Sequence, residues 1–182
     1  MGVYAPSRLQ LDFTKPIPAT DYRMVIHSGA YTDTGKAEQE PDKCYEVNVI
    51  GTRNLLDAFD CPFVFISTEY AQNGRGVYAR SKKLAEELVE THPHHLIIRV
   101  LFKTRPWTQE TAYIDQYTRG DYLDVIAPLI VDAIESWDFS SKMLHVGTER
   151  KLLIDLARQT KPDVKPISVL DIKHVHVPID YR

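Results

Sequence analysis

Cysteine is scarce: Cys44 and Cys61 are the only two in 182 residues. That is too few for a disulfide framework, and it points to a reducing, cytoplasmic setting. An excess of one charge is also missing. The chain has 22 Lys and Arg against 25 Asp and Glu, a formal net charge of −3, so it lacks the basic surface that a nucleic-acid partner would require. No apolar run approaches the roughly 20 residues of a membrane-spanning helix, and the longest, LIIRVLF, is interrupted by Arg99. The opening MGVYAPSRLQ lacks the charged-then-apolar order of an export signal. Internal repeats and low-complexity segments are absent. Finally, although there are eight glycines, none of the early ones forms a GxGxxG ahead of a helix.

What remains describes an ordinary globular protein, 43% hydrophobic and 26% charged. Its length suits one domain with a proper core. Short runs rich in Val, Ile and Phe at residues 24–27, 63–67 and 96–101 read as strands buried on both faces, which implies a parallel sheet. Helical patterns separate and follow them at 41–59, 80–91 and 123–137. The alternation predicts a doubly wound α/β layer structure. A strand over 143–146, a helix over 151–159 and a strand-like HVHVP stretch follow, while residues 103–122 read as the only long irregular loop. Long loops within compact domains usually carry function.

The chemistry concentrates in two places. Strand FVFIS ends in Ser67 and Thr68, and about ten residues later Y-A-R-S-K opens an amphipathic helix. In an open parallel sheet, ligands sit beyond the carboxyl ends of the strands, where both pieces fall. Tyr78 and Lys82 are four apart and share a helix face. A cation there is expected to make the phenol more acidic. Tyr78 could then hand a proton to a carbonyl oxygen held by Thr68 and Ser67, while Lys82 also binds a ribose hydroxyl.

These motifs, in order, resemble the extended short-chain dehydrogenase/reductase superfamily, closest to its dTDP-4-dehydrorhamnose reductase and NAD-dependent epimerase branch. VIHSGAYTD at 25–33 is similar to the family's fourth strand and cofactor-contacting turn, which implies roles for Ser28, Gly29, Ala30 and Thr32. KAEQEPDKCYEVNVIGTRNLLDA resembles the helix with an Asn-Val-x-Gly-Thr-x-Asn-Leu core and carries over Asn48. ISTEY and YARSK match the serine-threonine strand end and the catalytic helix, implying Thr68, Tyr78 and Lys82 as catalytic and Ser67 as a cofactor neighbour. Asp12 and Phe13, in LQLDFT, stand where the family places an acidic-apolar pair near adenine. DQYTRGDYLDVIAPLI resembles the segment that closes over substrate, with Gln116 and Tyr117 implied as contacts alongside Thr68 and Tyr78.

The resemblance implies a Rossmann-like α/β domain acting on a nucleotide-linked keto sugar with NADP or NAD. Its core would lie at about 1–101 and 122–137, with substrate-side elements at 102–121 and 138–182. The family's opening strand and glycine-rich turn have no counterpart, so the domain reads as N-terminally truncated, with LQLDFT as the third strand and VYAPSR ending the second. Ser7 and Arg8 would then meet a 2'-phosphate, favouring NADP. Missing pyrophosphate donors are expected to weaken cofactor binding. The uncovered apolar surface leaves a homo-oligomer open. The alternative reading is a non-catalytic regulatory or binding protein with a degenerate cofactor site. G-R-G-V-Y-A at 74–79 also fits GxGxxA, but it lacks the acidic residue about twenty positions on and reads as the loop before the catalytic helix. His92, His94 and His95, and His174 and His176, lack the Cys or acidic partners of a metal site.

Overall fold

Strands that are apolar on both faces must be covered from above and below, so they lie side by side with helices as the outer layers. A computed structural model, which describes residues 3–73 and 75–171, shows this arrangement. Strand β1 (Val25–His27) leads into α1 (Thr34–Gln39), α2 (Pro41–Tyr45), a π-helical turn (Glu46–Ile50) and α3 (Gly51–Ala58). Next come β2 (Phe63–Thr68), a 3-10 turn (Glu69–Gln72), α4 (Gly76–Val89) and β3 (His95–Val100). Four short strands follow: β4 (Phe102–Lys103), β5 (Thr111–Tyr113), β6 (Tyr117–Thr118) and β7 (Asp121–Tyr122). The described chain closes with α5 (Leu123–Glu135), β8 (Lys142–His145), β9 (Lys151–Leu152), α6 (Leu153–Arg158) and β10 (Lys165–Ile167).

The main sheet has the order β1-β2-β3-β8, and every pair in it is parallel. Alternation along β2 divides the core. Phe63 and Phe65 face α3 and α4, joining Leu55, Phe59, Ala85, Val89 and Ile97. Val64 faces the other way, with Leu96, Ile98, Val100, Ile126 and Trp137. Burying each such aliphatic or aromatic side chain contributes about 1.5–3 kcal/mol, so β2 and β3 are the most firmly held elements. Functional side chains at their ends therefore stand on a rigid floor.

The Rossmann-like architecture matches the expectation, with local departures. LQLDFT is not a strand: Gln10 and Leu11 N–H both donate to the Ser7 carbonyl in a turn, and the segment has no neighbour to ladder with. The helix over 41–59 contains a π turn in which Gly51 N–H reaches back five residues to the Glu46 carbonyl. Helix α4 starts at Gly76, four residues early, because its φ of 76° lets the chain turn into the helix where a side chain would be strained. That accounts for a glycine of the decoy motif; its partner Gly74 lies outside the described residues.

The stretch 103–122 is not irregular. Its strands pair with later chain, β5 with β10 and β6 with β9, around a second small core of Trp107, Ala112, Tyr122, Leu153, Ile154, Leu156, Ala157 and Val164. Likewise the segment 151–159 begins as a strand before turning helical. Two- and three-residue strands leave no periodic signature. The HVHVP stretch, with His174 and His176, lies outside the described residues. Among the described residues, no helix is long and apolar enough to cross a membrane.

Candidate functional site

The carboxyl end of β2 and the first turns of α4 come together, as sheet topology requires. Thr68 is buried, and its hydroxyl caps the following 3-10 turn, accepting from Tyr70 N–H at 3.3 Å. The half-buried Tyr78 phenol stands close enough to that hydroxyl for Thr68 to favour its ionised form. Lys82, one turn further along α4, is wholly buried. Its ammonium donates to the Ile66 carbonyl at 2.8 Å and rests 3.9 Å above the Phe65 ring. Strand β2 thus supplies consecutive anchors for the helix that carries the Tyr-Lys pair.

The electrostatics differ from the expectation. Desolvation pushes Tyr78 up to about 12, with the nearby Thr68 hydroxyl only partly opposing it. Burial pulls Lys82 down to about 7, against the counter-charge of Glu86. The lysine does not acidify the phenol, because its head points at the β2 backbone and it is itself close to losing its charge at neutral pH. What the site offers at rest is a protonated phenol beside a hydroxyl.

The turn after β1 contains Ser28, Gly29, Ala30 and Thr32, with Ser28 and Thr32 exposed. Asn48 fixes this turn. Its carbonyl accepts from Tyr31 N–H at 2.7 Å, and its amide donates to the Tyr31 carbonyl at 3.2 Å and to the Ser81 hydroxyl at 2.9 Å. Ser81 in turn donates to the Tyr78 carbonyl at 2.7 Å. Asn48 is therefore a strap from the turn to the catalytic-type helix, and it is fully buried. A groove of about 340 Å³ lined by Tyr31, Thr32, Asp33, Lys36 and Glu40 borders the turn.

Other expected residues stand elsewhere. Ser67 donates to Glu86 at 2.6 Å on the α4 side of the sheet, so its hydroxyl is not available beside Thr68. Phe13 does not present itself to a ligand. Its ring packs on Gly29 and Gly51, where an added Cβ would stand 2.7 Å and 2.4 Å from it, and meets His27 edge-on. Asp12 is bound by the Thr14 backbone and hydroxyl, which hold its carboxyl below the usual range. Ser7 and Arg8 lie exposed in the N-terminal turn. Gln116 is completely buried; its amide approaches the Tyr70 phenol, yet neither polar atom makes a hydrogen bond of good geometry. Tyr117 is partly exposed, with the Arg150 guanidinium 4.0 Å over its ring.

Sequence reasoning passed over four buried groups. Glu69 follows Thr68, accepts from the Thr118 hydroxyl at 3.2 Å, and is raised to about 7 by burial. Tyr70 stacks edge-on against Tyr78 at 6.4 Å. Glu86 and Arg99 form an internal ion pair. The one available signal was spacing: Glu86 is four residues beyond Lys82, on the same helix face.

Comparison with known proteins agrees with this fold. The RmlD substrate binding domain family matches residues 1–127. The Bacillus subtilis spore coat polysaccharide biosynthesis protein SpsK is 34% identical over 83 residues, covering 36% of this chain and 29% of SpsK. The Mycolicibacterium smegmatis dTDP-4-dehydrorhamnose reductase is 26% identical over 145 residues, 68% of this chain and 44% of that protein. The chain thus spans less than half the length of these relatives. Among solved structures, the Bacillus anthracis dTDP-4-dehydrorhamnose reductase in complex with NADP superposes with a TM-score of 0.75 at 22% identity, covering 93% of this chain and 77% of that one. The Pseudomonas aeruginosa RMD complexed with NADPH gives a TM-score of 0.62 at 16% identity, covering 81% and 64%. With its parallel sheet and a family match over more than half of its residues, the chain belongs to the RmlD substrate binding domain family.

Proposed function

We propose that this chain is an NAD(P)H-dependent oxidoreductase acting on a nucleotide-linked keto sugar, in the manner of a dTDP-4-dehydrorhamnose reductase or a related epimerase. The observation that carries the reading is the meeting of Thr68, Tyr78 and the buried Lys82 amine at the carboxyl end of β2. The residues fit the nicotinamide-ribose end of a dinucleotide: a pinned turn after β1, a hydroxyl pair and the Lys82 amine. Among the described residues none is assigned to its pyrophosphate. When bound, the dinucleotide supplies the hydride.

The chain's own residues handle the oxygen. Thr68 donates to the substrate carbonyl and polarises it. Tyr78, held protonated by its raised pKa of about 12, delivers its proton to that oxygen as negative charge develops there, a transfer toward the stronger base. Lys82 holds positive charge beneath the pair and binds a ribose hydroxyl. Gln116, although its buried amide lacks partners, presents no surface to a sugar and is given no part here.

A second reading, a binding or regulatory protein with a degenerate cofactor site, is favoured by the Lys82 ammonium, which is spent on the Ile66 carbonyl. Calorimetric titration with NADPH and NADH separates the two. Binding, followed by turnover of a keto sugar nucleotide that Tyr78→Phe abolishes with little change in cofactor affinity, supports the reductase. No binding at millimolar cofactor sinks it.

A further inference from the structure

Glu86 has no exposed surface, yet it is a carboxylate inside the core. One oxygen accepts from the Ser67 hydroxyl at 2.6 Å and from Arg99 Nε at 2.8 Å, and the other accepts from Arg99 Nη2 at 2.6 Å. Arg99 sits directly across from Ser67 in the β2–β3 register. A buried ion pair of this kind is a poor way to gain stability, because desolvation consumes most of its Coulomb energy and a well-packed apolar pair does as well or better. Its presence calls for another reason.

We propose that Glu86 is a positioning residue for Lys82: clamped by Ser67 and Arg99, its carboxylate docks α4 on β2 and keeps the Lys82 amine cationic beneath the Thr68–Tyr78 pair. The geometry carries this. Lys82 and Glu86 lie one helical turn apart on one face, and they grip consecutive residues of β2, Lys82 the Ile66 carbonyl and Glu86 the Ser67 hydroxyl. Two grips a turn apart fix both the rotation and the height of α4, and with them Tyr78. Charge adds to it. Burial drives the amine toward its neutral form, and Glu86 is the foremost group acting the other way.

The other titratable groups around Lys82 do not replace it. His27 on β1 is held neutral by burial, Cys44 on α2 has its thiol pushed up, and Tyr78 on α4 is pushed up as well. Glu38 on α1 instead accepts from Val77 N–H, Arg99 on β3 is spent on Glu86, and β2 offers only the Phe65 ring and backbone. The catalytic meaning of the device rests on the reductase reading; its electrostatics do not.

The test follows the Lys82 side-chain resonance in lysine-labelled protein across pH, with Lys82→Arg identifying the signal. In Glu86→Gln the midpoint falls by about one pH unit or more, while Glu86→Asp, which keeps the charge, retains most of it. Should Glu86→Gln not fold, Glu86→Gln with Arg99→Gln substitutes a neutral amide pair of similar shape, and the same fall is expected. An unchanged midpoint in whichever variant folds overturns the proposal. No turnover is needed for this readout, so a failed reductase assay leaves it standing. Where turnover is measurable, the alkaline limb of kcat moves to lower pH by the same amount, whereas a purely structural role would lower kcat equally at every pH.

Discussion

Replacing Arg99 by Met asks how much the internal ion pair holds. The variant keeps most of the side-chain volume but removes two of the three hydrogen bonds to Glu86, those from Nε at 2.8 Å and Nη2 at 2.6 Å, leaving only Ser67. The Lys83 ammonium, 3.9 Å from Glu86 and partly exposed, cannot take over a fully buried partner. Stranding one member of a buried pair costs about 3–5 kcal/mol, a large share of the roughly 5–15 kcal/mol that domains possess. Urea unfolding followed by circular dichroism, with wild type alongside, measures the loss. Arg99→Met combined with Glu86→Leu should return to within about 1 kcal/mol of wild type, because no buried charge is then left alone. A single-variant cost below about 1 kcal/mol, or a double variant no more stable than the single, would refute the reasoning.

Three smaller expectations use other features. His27 is depressed to about 3 by burial and by the Lys82 charge, so the unfolded chain takes up a proton below about 6.5 that the folded one refuses. Stability is therefore lost as pH falls through that window, by up to about 1.4 kcal/mol per unit, and His27→Gln should flatten the decline in an unfolding series. Gly51→Ala would drive a methyl into the Phe13 ring, 2.4 Å away, and should cost about 1–3 kcal/mol by overpacking; a melting temperature equal to wild type would show that the ring moves freely. Gln116→Met removes a buried amide with no good partner, so thermal unfolding should show stability unchanged or raised; a clear loss would show that the amide is satisfied in solution.

The sheet was legible because its strands are apolar on both faces. HLIIRV is buried along its whole length and FVFIST everywhere but at the partly buried Ile66, and a covered parallel sheet hides such runs. The Thr68–Tyr78 pairing was legible from the topology that sets strand ends against helix starts. The orientation of Lys82 was not, since spacing places it on the face of Tyr78 but cannot say that the β2 backbone will capture its head. Ser67 was misplaced because two adjacent strand residues point to opposite faces, and only the position of Glu86 decides which hydroxyl remains beside the phenol. Phe13 was misread for a related reason: two glycines far apart in sequence, Gly29 and Gly51, open the recess its ring fills. The short strands between 102 and 122 gain their ladders only from residues beyond 150, which no local pattern reports.

That last pairing bears on the order in which the chain can take shape as it is made. The four strands of the main sheet are all synthesised by His145, and their contacts join neighbouring units of strand and helix. The smaller core is different: β5 waits for β10, and Trp107 and Ala112 wait for α6 and Val164. Until those residues emerge from the ribosome, the stretch after β3 has an apolar side and nothing to lay it against. The lobe that would cover the sugar is thus the last to close and, held by strands of two or three residues, the first expected to open.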